Sequence, residues 1–264
     1  MSKWVFNHKL ISYFFLAYLF SWIISIPLIL GIVPLWFHYF TAYGPALAAI
    51  VINLLVNDDR ERLKLLFKKT IEWKISWLWY LFALSPLLIF LVVSLFLNKN
   101  PLDIESLGTV NFLPSLGLSA IFLWILTSGV GEEMGWRGFA LPTLQAKYSA
   151  LKSALILGLF WAGWHIPAFF YLPTYMRLGF TILPMFILGI ITGSIVYTWL
   201  FNSTNGNILI AILFHGIFNF VTASKAAEGL PDAIVSTLVM IWAVMLIIIY
   251  KPGSLSRNKK FSIG

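Results

Sequence analysis

Residues 75–97 read "ISWLWYLFALSPLLIFLVVSLFL", without one charged side chain. A helix rises about 1.5 Å per residue, so about 20 apolar residues span the hydrocarbon core of a bilayer. A run of this length and character is a membrane span. Seven more of the same kind flank it. They cover roughly Leu10 to Gly31, Phe37 to Val56, Leu113 to Glu133, Leu151 to Leu172, Phe180 to Phe201, about Ile208 to Thr222, and Ala233 to Tyr250. The expected fold is all-α: a polytopic membrane protein with about eight transmembrane helices, forming a single membrane-embedded domain over residues 1–264.

Composition points the same way. Of the 264 residues, 60% are hydrophobic and 11% are charged, and the mean hydropathy is +0.89. Soluble domains carry about a quarter charged residues. The chain has no cysteine, which excludes disulfides, a cysteine nucleophile and thiolate metal sites. Its net charge of +8 needs no nucleic acid to explain it, because membrane proteins collect positive residues on the cytoplasmic side. The expected partner is the lipid bilayer, the expected location a multi-pass position in the cell membrane. The first apolar run is too long for a signal-peptide core and lacks a small-residue cleavage site, so no cleavable signal is expected.

Charge also orients the spans. Lys3 and Lys9 precede the first. Arg60, Arg62, Lys64, Lys68, Lys69 and Lys74 lie between the second and third, Lys147 and Lys152 between the fourth and fifth, and Lys251, Arg257, Lys259 and Lys260 after the eighth. The opposite loops hold only Lys99, Arg177 and Lys225. Both termini are therefore expected in the cytoplasm, and an even number of crossings agrees. The segment 58–74 mixes Leu63, Leu65, Leu66, Phe67 and Ile71 with basic residues. It reads as an amphipathic basic helix on the anionic inner leaflet.

An ionisable side chain at the bilayer centre costs about 2.5–3.5 kcal/mol on insertion scales, so it needs a partner or a water-filled cavity. Few such groups touch the spans. Glu132, Glu133 and Arg137 end the fourth, in "GVGEEMGWRG" (129–138). His165 lies in the fifth, in "LFWAGWHIPAFF" (159–170). His215 and Asn219 lie in the seventh, in "AILFHGIFNF" (211–220). Glu133 and Arg137 are four apart and share a helix face, as do His215 and Asn219. Glu132 points about 100° away from Glu133. Pro167 weakens the helix ladder beside His165 and favours a kink there.

Simpler readings exist for each piece. Glu133 with Arg137 fits an interfacial ion pair, and a lone histidine or asparagine in a span is more often an interhelical hydrogen bonder. A carboxylate, two imidazoles and an amide on three helices, in a chain otherwise poor in such groups, point instead to one polar cavity. Trp136, Trp161 and Trp164 flank these groups and can wall it. His8 and His38 fall near the expected interfaces and receive no role.

Hydrolysis fits this set. A buried carboxylate can take a proton from water, a neutral histidine can hold that water, and a second histidine with an amide can donate to the oxyanion. Zinc at Glu132, His165 and His215 is the competing arrangement; no cofactor is the favoured one. An aspartyl dyad lacks residues, since Asp58, Asp59, Asp103 and Asp232 fall in loops or at a helix edge, and no HExxH occurs.

The three motifs resemble those of the CAAX protease and bacteriocin-processing family, also called the Abi family. "EEMGWR" (132–137) matches its EExxxR and "HGIFN" (215–219) its HxxxN. Its FxxxH is present as Trp161 to His165, with Trp in place of Phe. The resemblance spans the catalytic core motifs at about residues 115–222. It implies an intramembrane endopeptidase acting on a peptide or lipid-anchored protein. Glu132 and His165 would activate water, His215 and Asn219 would form the oxyanion site, and Glu133 and Arg137 would brace the first motif. The family is often classed as metalloproteases. A non-proteolytic bacteriocin-immunity or scaffold protein of the same fold is the alternative, and a proton-coupled transporter a third reading that lacks the expected internal repeats. One geometric tension stands out. Glu132 falls near the cytoplasmic end of the fourth run, whereas His165 lies about 13 residues into the fifth, or about 20 Å. They can meet only if the fourth helix tilts or continues past Glu133, or if the fifth starts deeper.

Overall fold

The computed structural model describes residues 8–57, 60–97, 106–110 and 116–263. Lys3, Asp58, Asp59, Lys99, Asp103 and Leu113 lie outside the described residues. No strand occurs among the described residues, and the described part of each expected apolar run is mainly helical. Among the described residues, six helices are long and apolar enough to cross a bilayer: Lys9–Ile29, Leu35–Leu55, Trp77–Leu97, Ala150–Phe170, Phe180–Ser203 and Leu230–Ser254. The seventh expected run, Leu209–Thr222, is a helix of 14 residues.

In chain order the helices are α1 (Lys9–Ile29), α2 (Gly44–Asn57), α3 (Arg60–Thr70) and α4 (Trp77–Leu97). Then comes α5, a continuous helical segment over 117–145. It is followed by α6 (Ala150–Trp164), the short α7 (Pro173–Leu178), α8 (Leu183–Ser203), α9 (Leu209–Thr222) and α10 (Leu230–Ser254). The main packing pairs are α1 with α2, α6 with α8, α4 with α9 and α8 with α10. Helix α5 sits between α2 and α9.

Glycines let α5 sit that close. A Cβ on Gly135 would come within 2.4 Å of the Pro45 carbonyl carbon in α2, and one on Gly129 within 2.7 Å of the Ile212 carbonyl oxygen in α9. The glycines of "GVGEEMG" therefore carry backbone-to-backbone packing on two neighbouring helices.

Helix α5 differs from expectation in two ways. It does not stop at Glu133 but runs on to Gln145. It also opens into π turns over Ile125–Glu132 and Trp136–Ala140. Thr127 and Ser128 turn their hydroxyls back onto the carbonyls of Leu123 and Trp124, at 2.7 and 2.9 Å. Side chains inserted into the i→i−4 ladder loosen an α-helix in this way, and π turns recur at functional sites. The extension removes the tension between Glu132 and His165. Glu132 lies 13 positions before Gln145 and His165 lies 15 positions after Ala150, so the two rise to similar depth, about 20 Å, from the 146–149 connection.

The ends of the bundle are tied by polar contacts. Gln145 and Asn202 exchange amide hydrogen bonds at 3.0 and 2.8 Å, and Gln145 also donates to the Phe261 carbonyl at 2.7 Å. The basic segment forms α3 from Arg60. Leu66 is buried in the core beside Gly138, while Phe67 and Ile71 stay exposed. One apolar edge of this helix is used for packing, and the other remains on the surface, where an interfacial helix meets lipid headgroups. Gly189 and Gly193 form a GxxxG in α8, and Gly189 faces Met240 of α10, so one of the two glycines serves packing inside the chain.

Candidate active site

The first motif is built around a buried triplet. Glu133 and Arg137 are fully buried and His215 nearly so. Arg137 Nη1 donates to Glu133 Oε1 at 2.9 Å. His215 Nδ1 lies 2.7 Å from the same oxygen. An ionised carboxylate only accepts, so Nδ1 carries the hydrogen and Nε2 is left for other work. A carboxylate fixing one nitrogen of a histidine so that the other can act is a recurring catalytic arrangement. Arg137 is held further by two aromatic faces. Its guanidinium carbon is 4.5 Å from the Trp161 ring centroid and 4.2 Å from that of Tyr197. Its Nε and Nη2 have no hydrogen-bond partner among the described residues, and the ring faces meet the positive charge that the single carboxylate contact leaves uncovered.

Glu132, the second carboxylate, is also buried. Its partner is Trp161, whose Nε1 donates to Oε2 at 2.7 Å. Helix α6 ends at Trp164 with His165 as its cap residue, and the chain continues as a 3₁₀ turn over Ile166–Phe170. The break follows from Pro167, which has no N–H to continue the ladder. It leaves His165 Nδ1 2.8 Å from the Trp161 carbonyl. A carbonyl only accepts, so here too Nδ1 bears the hydrogen and Nε2 the lone pair of the neutral ring.

Trp161 is thus the hub. It hydrogen-bonds Glu132 with its indole and His165 with its carbonyl, and its ring contacts that of His215 with centroids 5.4 Å apart. Tyr197 packs against both Trp161 and His215, at 5.6 and 5.5 Å. Trp164 stands edge-on to His165 at 4.7 Å and donates to Ser21 Oγ at 2.7 Å. Trp136 is fully buried against Tyr13 and Trp164. Asn219 stands one turn beyond His215, half-buried, with no side-chain hydrogen bond to the described residues.

Five of the six expected residues therefore gather in two bonded groups that share Trp161 as neighbour, and Asn219 is bonded to neither. One is Glu133, Arg137 and His215; the other is Glu132 and His165. A small cavity of about 20 Å³, room for about one water, adjoins His165 on the side of α1 and is lined also by Ser21, Ser25, His38, Thr41, Trp164 and Tyr171. Of the six expected site residues this cavity takes in only His165. His38, given no role from the sequence, is bonded to the Tyr171 hydroxyl at 2.9 Å within it. The contacts of Tyr197, His38 and Tyr171 join residues distant in sequence, and only the polarity of these side chains among apolar neighbours hints at them.

Among the described residues no group of three His, Asp or Glu side chains is placed to hold one metal ion. Glu132 and the two histidines, the zinc set considered from the sequence, each direct one polar atom to a different protein partner. Each keeps a second atom, Glu132 Oε1 and Nε2 of the two histidines, and a histidine fixed through one nitrogen can still ligate through the other.

Residues 114–221 match the family model described as Rce1-like, type II CAAX prenyl endopeptidase. The chain is also 29% identical over 203 residues to the curated CAAX prenyl protease 2 of Methanococcus maripaludis, a match covering 75% of this chain and 70% of that protein.

Proposed function

We propose that the chain belongs to the CAAX protease family and is an intramembrane endopeptidase that cleaves a prenylated peptide or protein with water activated by Glu132 and His165. The observation that carries this reading is the pairing of those two side chains on Trp161, each bonded through one atom and left with a second atom for water. Glu132 takes a proton from a water that His165 Nε2 helps to hold. The hydroxide attacks the scissile carbonyl. The oxygen that becomes negative is met by two donors held one turn apart on α9, the Asn219 amide and His215 Nε2, the latter donating when the ring carries a hydrogen on both nitrogens. Collapse of the tetrahedral intermediate breaks the C–N bond, and Glu132 returns its proton to the leaving amine.

Each residue then has one task. Glu133 accepts from His215 Nδ1 and so fixes the direction of Nε2, and Arg137 balances the charge of Glu133. The positive-inside pattern supports a site entered from the cytoplasm, the side on which prenylated proteins would meet it.

The test is cleavage of an internally quenched farnesylated peptide by the purified chain in liposomes, with Glu132→Gln as control. Removing a general base typically lowers turnover by about 10²–10⁴. The amide oxygen introduced by this substitution can still accept from the Trp161 N–H, so the fold should be retained. Turnover by Glu132→Gln at the wild-type rate would refute the proposal.

A further inference from the structure

We infer that Trp161 is a positioning residue for the reaction, holding the base and the water-binding histidine in register through two atoms, one of its side chain and one of its backbone. The inference rests on the endopeptidase reading and adds a role to a residue outside the reacting groups.

The geometry is specific. Glu132 is on α5 and His165 caps α6, so nothing local fixes their relative position. Trp161 bridges them. Its indole N–H occupies Glu132 Oε2 at 2.7 Å, which leaves Oε1 as the oxygen free to take a proton. Its carbonyl occupies His165 Nδ1 at 2.8 Å, which leaves Nε2 as the lone pair. The carbonyl is available because the His165 amide bonds the Ala162 carbonyl at 3.2 Å where α6 tightens into the 3₁₀ turn. In an unbroken helix it would be committed to an amide N–H four residues on.

Trp161 is itself immobile. Its side chain is buried, one face meets the Arg137 guanidinium at 4.5 Å, and its ring is edge-on to those of Tyr197 and His215. Both bonds therefore originate from a fixed point. Reacting groups must be held to within a fraction of an ångström of their working geometry, and a rigid bridge between two helices does this without either helix moving. Phenylalanine, the residue of the resembled motif at this position, would supply the carbonyl but not the N–H. In this chain the indole adds a second anchor.

The test separates the hydrogen bond from the packing. Trp161 is replaced by Phe and, through an expanded genetic code, by 3-benzothienylalanine, which keeps the shape of the indole and replaces N–H with sulfur. Both are assayed in the full-length chain on the farnesylated peptide, beside Glu132→Gln. Loss of a hydrogen bond to a charged group should lower kcat on the order of tenfold or more, with KM changed less than about twofold because substrate is not touched. The isostere should match Phe in kcat while keeping the wild-type melting temperature.

A second readout needs no substrate. In ¹⁵N-indole-labelled protein, the resonance missing from Trp161→Phe is that of Trp161. It should lie downfield in the wild type and move upfield in Glu132→Leu. An isostere with wild-type kcat, or an indole resonance that ignores Glu132→Leu, overturns the inference. If Glu132→Gln is dead while the isostere is fully active, the endopeptidase reading stands and only the role of Trp161 falls. If Glu132→Gln is fully active, the reading itself falls.

Discussion

Glu133 and His215 are joined through Oε1 and Nδ1 at 2.7 Å, across 82 positions of sequence and between two helices. The same oxygen receives Arg137. The ion pair within α5 and the link to α9 are therefore one unit, and the charge that stabilises the first motif also orients the histidine of the third.

Glu133→Gln should accordingly lose both activity and stability. Breaking a buried ion pair from one side costs about 3–5 kcal/mol, because the remaining charge stays buried without its partner. Thermal unfolding in detergent should show a clear drop in melting temperature, and turnover should fall with it. If the variant melts like the wild type, Glu133 does not carry the charge of Arg137.

Asn219→Ala should separate these effects. Its side chain makes no hydrogen bond to the described residues, so folding should be nearly unchanged. As an oxyanion donor, its loss should cost about 10²–10³ in turnover. Comparing kcat and melting temperature on the same preparation checks both. A mutant that turns over normally would leave His215 to stabilise the oxyanion without it.

Gly135→Ala weighs two opposing terms. Replacing glycine with alanine in a helix gains about 1 kcal/mol in propensity. Against it stands a methyl group 2.4 Å from the Pro45 backbone, and overpacking against an unyielding neighbour typically costs about 1–3 kcal/mol. The backbone cannot swing aside as a side chain can, so the clash should win and yield or melting temperature should fall. A stabilised variant would mean that α2 and α5 have slack between them.

Treatment with a chelator should leave cleavage intact in the metal-free mechanism. The check is elemental analysis of the purified chain alongside the assay. Stoichiometric zinc that leaves and returns with activity would replace the water-activation scheme and leave the protease assignment in place.

Much of the architecture was legible in hydropathy. The uncharged 75–97 run and its neighbours are helices because length and apolar character alone dictate a span. The end of α5 was not legible. Glu132, Glu133, Arg137, Gly135 and Gly138 read as an exit from the membrane, and hydropathy cannot distinguish a charge in water from one neutralised by a buried neighbour. The Glu133–Arg137 pair followed from a spacing of four. The bonds to His215 and Trp161 did not, because they depend on how α5, α6 and α9 meet. The expected kink at Pro167 did occur, and its consequence for His165 became visible only once the freed carbonyl of Trp161 was located.

The π turns between Ile125 and Glu132 also shape how this segment can vary over generations. A π turn closes over one more residue than an α turn. In a regular α-helix, losing one residue turns everything downstream by about 100°. Here a one-residue deletion removes the extra member and lets the helix relax to α, so what lies beyond keeps its heading and Glu133 still faces His215. The stretch therefore has room for a change in the number of its residues, and natural relatives of this chain should differ there by single-residue loss as well as by replacement.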